Sequence, residues 1–257
     1  MGARSVSENN KVLVVDAGNT SVKWAAFDND ELVFIARDIQ QLDIGAQNNL
    51  EQALLSFKPE SIYFSSVRHS EQEAYLKEFI AKQYPNVDCY ELKSQGYACG
   101  VTNAYDDVSR LGVDRWLTVL AAFDAKQHTV VIDAGTALKV EFIAADGQYQ
   151  GGYIVPGQTM MEDMLVANTG KIRFNDADLL NYQGVINNTG LAVHLGCWEM
   201  TLALVERVIR QYEKSRFIFT GGNGEKILQA LNIKAEYEPN LVLHGAKMLG
   251  DEWVKQK

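Results

Sequence analysis

Two stretches of the chain carry nearly the same chemical groups in nearly the same order. The first, VVDAGNTSVKWAAFD, spans residues 14–28, and the second, VIDAGTALKVEFIA, spans residues 131–144. Each runs from apolar residues into an aspartate, Asp16 or Asp133, followed by Ala-Gly, a threonine and, a few positions later, a lysine. A carboxylate at the end of a buried strand can hold a divalent metal, and turn amides with a hydroxyl beside it can surround phosphate oxygens. The repeat therefore predicts two phosphate-binding β-hairpins, one in each half of the chain.

Glycines are expected to shape both hairpins. Gly18 and Gly135 lie two positions after the aspartates, where a tight turn with positive φ or a close backbone approach needs a residue without a Cβ. Lys23 adds a positive charge near the first hairpin. The chain contains neither G-x-x-x-x-G-K-[ST] nor G-x-G-x-x-G, which excludes a P-loop and a Rossmann dinucleotide site. A later strand ends in Thr-Gly-Gly at residues 220–222, a weak signal by itself.

Composition and charge exclude several classes of protein. The chain has 257 residues, 47% of them apolar, and a formal net charge of −9, values that fit a globular protein with two compact halves. It has no lysine- and arginine-rich run, so we expect no nucleic-acid partner. No apolar run approaches the roughly 18 to 20 residues of a membrane span, and the polar residues 1–10 lack the apolar centre of a signal peptide. We therefore expect a cytoplasmic protein with no membrane attachment, in which residues 1–10 are a disordered extension or a cloning remnant.

The elements that must position these groups follow from the hydrophobic pattern. Strands are predicted at residues 11–16, 21–28, 32–37, 61–65, 129–133, 138–144 and 217–220. Helices are predicted at residues 48–57, 70–84, 115–125, 189–212 and 241–254. Each half opens with a hairpin and continues with alternating helices and strands, which predicts a mixed α/β fold with a duplicated domain. We place the two domains at residues 11–126 and 127–257.

Three local signals refine this prediction. Ser70 followed by Glu73 is the pattern of a capping box at the start of a helix. Asp146-Gly147 is a favoured hairpin turn. The glycines and proline of GGYIVPG, at residues 151–157, predict a turn-rich link into a helix.

The repeat and the motifs around it resemble one enzyme family. The matching stretches are Asp16-Ala-Gly-Asn-Thr20, Tyr105 with Gly112-Val-Asp-Arg115, Asp133-Ala-Gly-Thr136 and Gly151-Gly-Tyr-Ile-Val-Pro-Gly157. They resemble the type III pantothenate kinases, of the superfamily that contains actin, the sugar kinases and the large chaperone ATPases. The resemblance covers nearly all of the chain after residue 10, and Gly-Val-Asp-Arg ahead of the second Asp-Ala-Gly-Thr is its specific part. It implies two duplicated actin-like (ribonuclease H-like) mixed-sheet domains flanking a nucleotide cleft.

The resemblance also implies an activity. It is transfer of the γ-phosphate of ATP to the primary hydroxyl of pantothenate, giving 4′-phosphopantothenate in the first step of coenzyme A biosynthesis. Asp114 is the implied general base, and Asp16 the implied ligand of Mg²⁺. Asp133 is implied to bind a monovalent cation, K⁺ or NH₄⁺. The implied ATP-binding residues are Asp16, Ala17, Gly18, Asn19, Thr20, Ser21, Val22, Lys23 and Thr136.

A second set of residues is implied to bind pantothenate. It consists of Tyr105, Gly112, Val113, Asp114, Arg115 and Thr189. Arg115 is the best local cation for the pantothenate carboxylate, and an arginine at a helix start opposes the helix dipole, which favours a functional role. Asp114 and Thr189 would also serve as helix N-caps, so a structural role stays open for both. The family usually has Asn-Pro after the tyrosine, whereas Tyr105 is followed by Asp106-Asp107, so the loop lacks the preset φ of proline.

Other functions remain open on the sequence. The chain could act on another small hydroxy acid or on a sugar, although sugar kinases of this architecture are generally much longer. It could be a regulatory relative that assists transcription and has lost catalysis, although retention of Asp16, Asp114 and Asp133 opposes this. A filament or scaffold of the actin kind has no supporting feature. The family also implies a homodimer, with the long helix at residues 189–212 as an interface element.

Overall fold

The fold is described from a computed structural model, which describes residues 10–39, 56–179 and 183–256. The predicted extension at residues 1–10, apart from Asn10, and most of the predicted helix at 48–57 lie outside these ranges. The chain divides into two compact units. Unit 1 comprises the chain up to residue 122 together with residues 241–257, and unit 2 comprises residues 123–240.

Unit 1 is built on a five-stranded mixed sheet in the order β3-β2-β1-β4-β5. Its strands are β1 (Lys11–Ala17), β2 (Ser21–Asp28), β3 (Glu31–Ile39), β4 (Ser61–Ser66) and β5 (Asp88–Glu91). Central β1 pairs antiparallel with β2 and parallel with β4. Because both faces of β1 are covered, its apolar residues do not alternate with polar ones, and Val12 to Val15 are fully buried.

Helix α1 (Ser70–Gln83) covers one face of this sheet. Leu76 and Ile80 pack into a cluster with Trp24 and Phe64. The predicted capping box is wrong, because His69 occupies the N-cap position without a side-chain cap and Ser70 already belongs to the helix. The helix is therefore positioned by burial of its apolar residues rather than by its first turn.

The other described residues of unit 1 form a short hairpin, a 3₁₀ turn and two helices. These elements are β6 (Tyr97–Ala98), β7 (Val101–Thr102), a 3₁₀ turn (Val108–Arg110), α2 (Val113–Ala122) and α6 (Leu241–Lys255). Helix α2 begins two residues before the predicted start at residue 115, so Asp114 lies inside its first turn and is not its N-cap.

Unit 2 repeats the strand arrangement of unit 1. Its sheet has the order β10-β9-β8-β11-β12, in which the first three strands and the last two take the same places as in unit 1. The strands are β8 (Thr129–Ala134), β9 (Ala137–Ile143), β10 (Tyr149–Pro156), β11 (Arg216–Thr220) and β12 (Glu236–Tyr237). Its helices are α3 (Gln158–Asn168), α4 (Thr189–Gln211) and α5 (Gly224–Leu231), with a 3₁₀ turn at Asp176–Leu179. The shared strand order confirms the predicted duplication of a mixed-sheet domain.

Residues 151–156 belong to strand β10 and are not the predicted turn-rich link, although Gly157 does lead into the predicted helix as the N-cap of α3. Strand β10 pairs with β9, and its register shifts between Tyr149 and Gly152. Gly151 takes a φ of +82° at this irregularity. A Cβ on Gly152 would lie 2.0 Å from the carbonyl oxygen of Val140. The glycines therefore serve a bulge and a close strand contact, which the sequence pattern did not distinguish from turns.

Helix α6 belongs to unit 1, although the predicted second domain extended to residue 257. A Cβ on Gly245 would lie 1.9 Å from the carbonyl oxygen of Leu117, and a Cβ on Gly250 would lie 2.2 Å from the ring of Tyr63. Tyr63 also donates a hydrogen bond of 2.9 Å to Asp251 Oδ1. Two glycines thus let the last helix pack closely on α2 and β4. The other boundary, at residue 122, is near the predicted one at 126.

Among the residues that the structure describes, no helix has the length and apolarity needed to cross a membrane.

Candidate active site

The first Asp-Ala-Gly hairpin joins β1 to β2 in unit 1. Asp16 is 7% exposed, and the buried Ser65 hydroxyl on β4 donates to Asp16 Oδ1 at 2.9 Å. Lys23 is its partner in the β1–β2 register. The amide of Gly18 donates to the Ser21 carbonyl at 3.1 Å. The carboxylate is therefore oriented from the neighbouring parallel strand, at the strand end where the repeat predicted it.

The predicted ATP-binding residues of this hairpin differ in exposure. Asn19 and Thr20 are exposed in the turn, whereas the side chains of Ala17 and Val22 are buried in the core. The side chains of those two residues are therefore unavailable to a ligand. Neither Gly18 nor Gly135 has positive φ, so that part of the prediction is wrong. A close approach does hold at Gly18, where a Cβ would lie 3.3 Å from the Ser21 carbonyl oxygen.

Arg68 also contacts this turn, although no motif in the sequence indicates it. Its Nε donates to the Gly18 carbonyl at 2.7 Å. Its Nη2 is shielded from solvent and has no hydrogen-bond partner among the residues that the structure describes. The pairing of β1 with β4 would have indicated this position, because Ser66 pairs with Ala17 and Arg68 follows two residues later. A cation placed just after β4 therefore has to lie beside the end of β1.

The second hairpin, between β8 and β9 in unit 2, has the same cross-strand pairing. Asp133 and Lys139 are register partners, as Asp16 and Lys23 are in unit 1. Lys139 Nζ lies 2.8 Å from Asp133 Oδ2, and their side chains are 17% and 18% exposed. The turn is shorter than in unit 1, since only residues 135 and 136 separate the strands. Each lysine of the repeat thus faces the aspartate of its own copy.

Two glycine-containing loops pack against this second turn. The Gly157 amide donates to the Thr136 carbonyl at 3.1 Å, and a Cβ on Gly157 would lie only 2.5 Å from that oxygen. The Asn223 amide donates to the Ala134 carbonyl at 3.0 Å. Gly221 has a φ of +80° and abuts the same backbone. The Thr-Gly-Gly stretch and the end of β10 therefore support the Asp-Ala-Gly-Thr turn directly.

Tyr105 and Arg115 form one side-chain pair in unit 1. Arg115 Nη1 donates to the Tyr105 hydroxyl at 2.9 Å, and its guanidinium carbon lies 5.9 Å from the centre of the tyrosine ring. Arg115 is 5% exposed. The contact fixes the ring relative to helix α2. A cation held in this way is pre-ordered for a carboxylate ligand.

The loop that lacks Asn-Pro is held by side chains instead. Asn103 Oδ1 accepts from the Tyr105 amide at 3.0 Å, and Asn103 Nδ2 donates to the Gln95 carbonyl at 3.0 Å. Asp107 caps the 3₁₀ turn by accepting from the Ser109 amide at 3.1 Å and from its hydroxyl at 2.6 Å. Local Asx-type hydrogen bonds thus order the backbone around Tyr105 where proline would have preset φ.

Residues 65–68 bring the first hairpin close to the start of helix α2. The Val67 amide donates to the Ala17 carbonyl at 3.1 Å, and a Cβ on Gly112 would lie 4.0 Å from Val67 Cγ1. The same Cβ would lie 2.7 Å from Asp114 Oδ1. The half-buried Asp114 carboxylate therefore lies over Gly112, where a larger residue would displace it. Within unit 1 the structure thus brings Asp16, Asp114 and Arg68 to one end of the sheet.

Thr189 is the first residue of helix α4 in unit 2, but it is not the N-cap. Asn188 occupies that position, and its Oδ1 accepts from the Leu191 amide at 2.8 Å. The structural role that the sequence left open for Thr189 is therefore taken by its neighbour.

Asp16 is the implied ligand of the divalent metal. Mg²⁺ usually keeps several waters and takes one or two carboxylates together with substrate phosphates, so a single fixed carboxylate fits. The described residues contain no cluster of three or more His, Cys, Asp or Glu side chains that could hold a metal by themselves. Asp133 is the implied ligand of the monovalent cation, and its Oδ2 already contacts an ammonium group.

Comparison with known proteins places these features in a family. A family model for type III pantothenate kinases matches residues 12–211. A type III pantothenate kinase from Marinomonas sp. (strain MWYL1) is 41% identical over 251 residues, which are 97% of this chain and 99% of the relative. One from Pseudomonas putida (strain F1) is 34% identical, over 92% of this chain and 98% of the relative. The chain belongs to the type III pantothenate kinase family.

Solved structures agree with the fold. A Campylobacter jejuni protein described as a Baf family transcriptional activator has a TM-score of 0.55 and 22% identity, covering 95% of this chain and 99% of that one. The ethanolamine utilization protein EutJ from Carboxydothermus hydrogenoformans has a TM-score of 0.51 and 15% identity, covering 93% and 89%. At such identities the likeness shows the shared two-domain fold alone. It adds nothing about activity to what the type III pantothenate kinase family provides.

Proposed function

We propose that this chain transfers the γ-phosphate of ATP to the primary hydroxyl of pantothenate, giving 4′-phosphopantothenate for coenzyme A biosynthesis. The observation that carries this proposal is membership of the type III pantothenate kinase family, with a match over residues 12–211. The site geometry supports it, because the end of the unit 1 sheet brings a fixed carboxylate, a second carboxylate and an arginine together.

Both hairpins are proposed to hold the phosphates of ATP. In unit 1 the exposed Asn19 and Thr20, the backbone of residues 17–22 and the Lys23 ammonium serve this role, and in unit 2 Thr136 does. Asp16 would hold Mg²⁺, which when bound neutralises charge on the phosphate oxygens. Ser65 keeps the Asp16 carboxylate in one orientation. Arg68 is proposed as a further phosphate ligand, since its shielded Nη2 has a donor to offer beside Gly18.

Asp114 is proposed as the general base. Phosphoryl transfer passes through a loose transition state, in which the acceptor oxygen gains acidity only as its bond to phosphorus forms. The O–H proton then moves to the Asp114 carboxylate, the new O–P bond forms and the bond to the β-phosphate oxygen breaks. A carboxylate of ordinary basicity is adequate for this late transfer. Gly112 leaves space for the Asp114 side chain beside the first hairpin.

The carboxylate of pantothenate is proposed to bind Arg115. A buried arginine already ordered by Tyr105 loses little side-chain entropy on binding an anion. Gly112, Val113 and Thr189 complete the proposed pantothenate-binding set.

The protein is proposed to be a homodimer in the cytoplasm. Unit 2 exposes a group of large apolar side chains on β10, α3 and α4, and helix α3 has no buried residue. The group consists of Tyr153, Ile154, Met160, Met164, Leu165 and Met200. Apolar surface of this kind favours a protein partner. A reaction that consumes ATP is consistent with the cytoplasm.

A regulatory role is the second candidate function, and it has less support than the kinase activity. The likeness to the Campylobacter jejuni protein described as a transcriptional activator reaches only 22% identity. The net charge of −9 opposes direct binding to DNA.

Acceptor specificity tests the proposal. Purified protein is incubated with ATP and Mg²⁺ and either pantothenate, glycerate or no acceptor, and products are followed by ³¹P NMR. We expect a phosphomonoester signal only with pantothenate. Turnover of glycerate but not pantothenate would point to another small hydroxy acid as substrate. The absence of any phosphomonoester, with ATP intact, would favour the regulatory role.

A further inference from the structure

The environment of Asp133 does not fit the monovalent cation that its family implies there. Lys139 Nζ lies 2.8 Å from Asp133 Oδ2, and both side chains are more than four-fifths shielded from solvent. The contact is set by backbone register, because Asp133 on β8 and Lys139 on β9 are paired residues of one antiparallel ladder. An ammonium group is therefore fixed where K⁺ or NH₄⁺ would bind the carboxylate.

The Gly221 backbone lies beside the other carboxylate oxygen of Asp133. Gly221 approaches it so closely that a Cβ at that position would lie 2.7 Å from Asp133 Oδ1. The Gly221 backbone is anchored beside Ala134, whose carbonyl accepts from the Asn223 amide at 3.0 Å. A cation at Asp133 would thus share Oδ2 with Lys139 or lie at Oδ1, beside the Gly221 backbone.

Binding of a second cation to the carboxylate oxygen that Lys139 contacts is electrostatically unfavourable. Two unit positive charges about 4 Å apart repel one another strongly enough, at the effective dielectric of a protein surface, to weaken binding of the second by about two to three orders of magnitude. The ammonium of lysine is a compact point charge with three donors. It carries the same charge as NH₄⁺ and has three N–H donors where NH₄⁺ has four, but it is tethered to strand β9.

We propose that Lys139 is a built-in replacement for the monovalent cation at Asp133. Its ammonium neutralises the Asp133 carboxylate and holds the Asp-Ala-Gly-Thr turn in the conformation that contacts ATP, so that K⁺ and NH₄⁺ are not needed. This inference rests on the proposed kinase function for its activity measurement, but its binding measurement does not. Lys139 acts through the turn and is therefore a positioning residue.

The first test needs no variant. Pantothenate-dependent ADP release is measured at equal ionic strength in NaCl, KCl and NH₄Cl. We expect the three rates to agree within about twofold. A rate in KCl or NH₄Cl at least tenfold above that in NaCl would overturn the proposal. Loss of turnover in all three salts would instead contradict the proposed kinase function.

The second test removes the tethered cation. Lys139→Ala leaves space for a free cation beside Asp133, and we expect turnover in NaCl to fall by about 10- to 100-fold and to recover in KCl or NH₄Cl. The matched control Lys214→Ala, at an exposed lysine of the same unit, should show no salt preference. If the Lys139→Ala loss is equal in all three salts, then Lys139 does not stand in for a cation.

A readout without catalysis separates this proposal from the kinase function. The melting temperature of each protein is measured with ADP in NaCl and in KCl. We expect KCl to raise the melting temperature of Lys139→Ala but not that of the wild type. A selective K⁺ stabilisation of the wild type would show that the cation binds in spite of Lys139, and would overturn the inference.

Discussion

At the scale of single residues, Arg68 is an unusual cation because part of its guanidinium is shielded and unpaired. Its Nε donates to the Gly18 carbonyl, but within the described ranges Nη2 has no hydrogen-bond partner. A shielded donor without a partner costs about 1–3 kcal/mol, and more when it is charged. A phosphate oxygen beside Gly18 would remove that cost when ATP binds.

Replacing Arg68 tests this role. We expect Arg68→Gln to raise the KM for ATP by about 10- to 100-fold, which corresponds to the loss of one charge-assisted hydrogen bond, with a smaller effect on the KM for pantothenate. Lys82→Gln is the matched control, because it removes one positive charge from an exposed position on α1. An unchanged KM for ATP in Arg68→Gln would show that Arg68 only braces the Gly18 turn.

The site residues that could be predicted from the sequence are those of the repeated motif. Asp16 and Asp133 could be located because two copies of one pattern lie at the ends of apolar runs, and the structure places both at strand ends. Arg68 and Ser65 could not be located, because their relation to the turn depends on pairing between β1 and β4, which are far apart in sequence. The contact between Lys139 and Asp133 could not be predicted either, although both residues belong to the repeat. The lysine was recognised as part of the repeat, but its position opposite the aspartate appears only from the strand register.

At the scale of elements, the packing of helix α6 on helix α2 depends on Gly245. A Cβ there would lie 1.9 Å from the Leu117 carbonyl oxygen, which is backbone and cannot rotate away. We expect Gly245→Ala to lower the free energy of unfolding by about 1–3 kcal/mol or more, because the two helices must separate. Urea denaturation followed by circular dichroism measures this.

Gly196→Ala on helix α4 is the matched control. A Cβ there would have no atom within 4 Å, so the helix propensity of alanine should stabilise the protein by about 0.5–1 kcal/mol. Equal effects of the two substitutions would contradict the close contact between α6 and α2.

Most elements could be predicted because their period is clear, and strand β2 occupies the predicted residues 21–28. The two elements whose conformation or domain was predicted wrongly, β10 and α6, both contain glycines. Glycines at 151 and 152 serve a bulge, and those at 245 and 250 serve close packing, yet in sequence a glycine gives the same signal for a turn, a bulge and a contact. Helix α6 lies in unit 1 and not in the predicted second domain. The sequence did not indicate this, because the contacts that attach α6 to unit 1 are long-range.

At the scale of the whole molecule, the exposed apolar group on unit 2 makes dimerisation testable. Met164 is 56% exposed on helix α3. If this group forms the proposed dimer interface, we expect Met164→Asp to shift the sedimentation coefficient from dimer to monomer, because it would bury a charge without a partner. Tyr75→Asp is the control, since Tyr75 is 71% exposed on helix α1 of unit 1. A wild type that sediments as a monomer at micromolar concentration would contradict the homodimer.

We propose that the duplicated fold as a whole phosphorylates pantothenate with Asp114 as the general base. The most direct measurement is ADP release by the wild type and by Asp114→Asn, with ATP and Mg²⁺, in the presence and absence of pantothenate. We predict that wild-type ADP release depends on pantothenate, and that kcat falls by about 10²- to 10⁴-fold in Asp114→Asn while the protein stays folded. ADP release that is the same with and without pantothenate, or a variant as fast as the wild type, would contradict the claim.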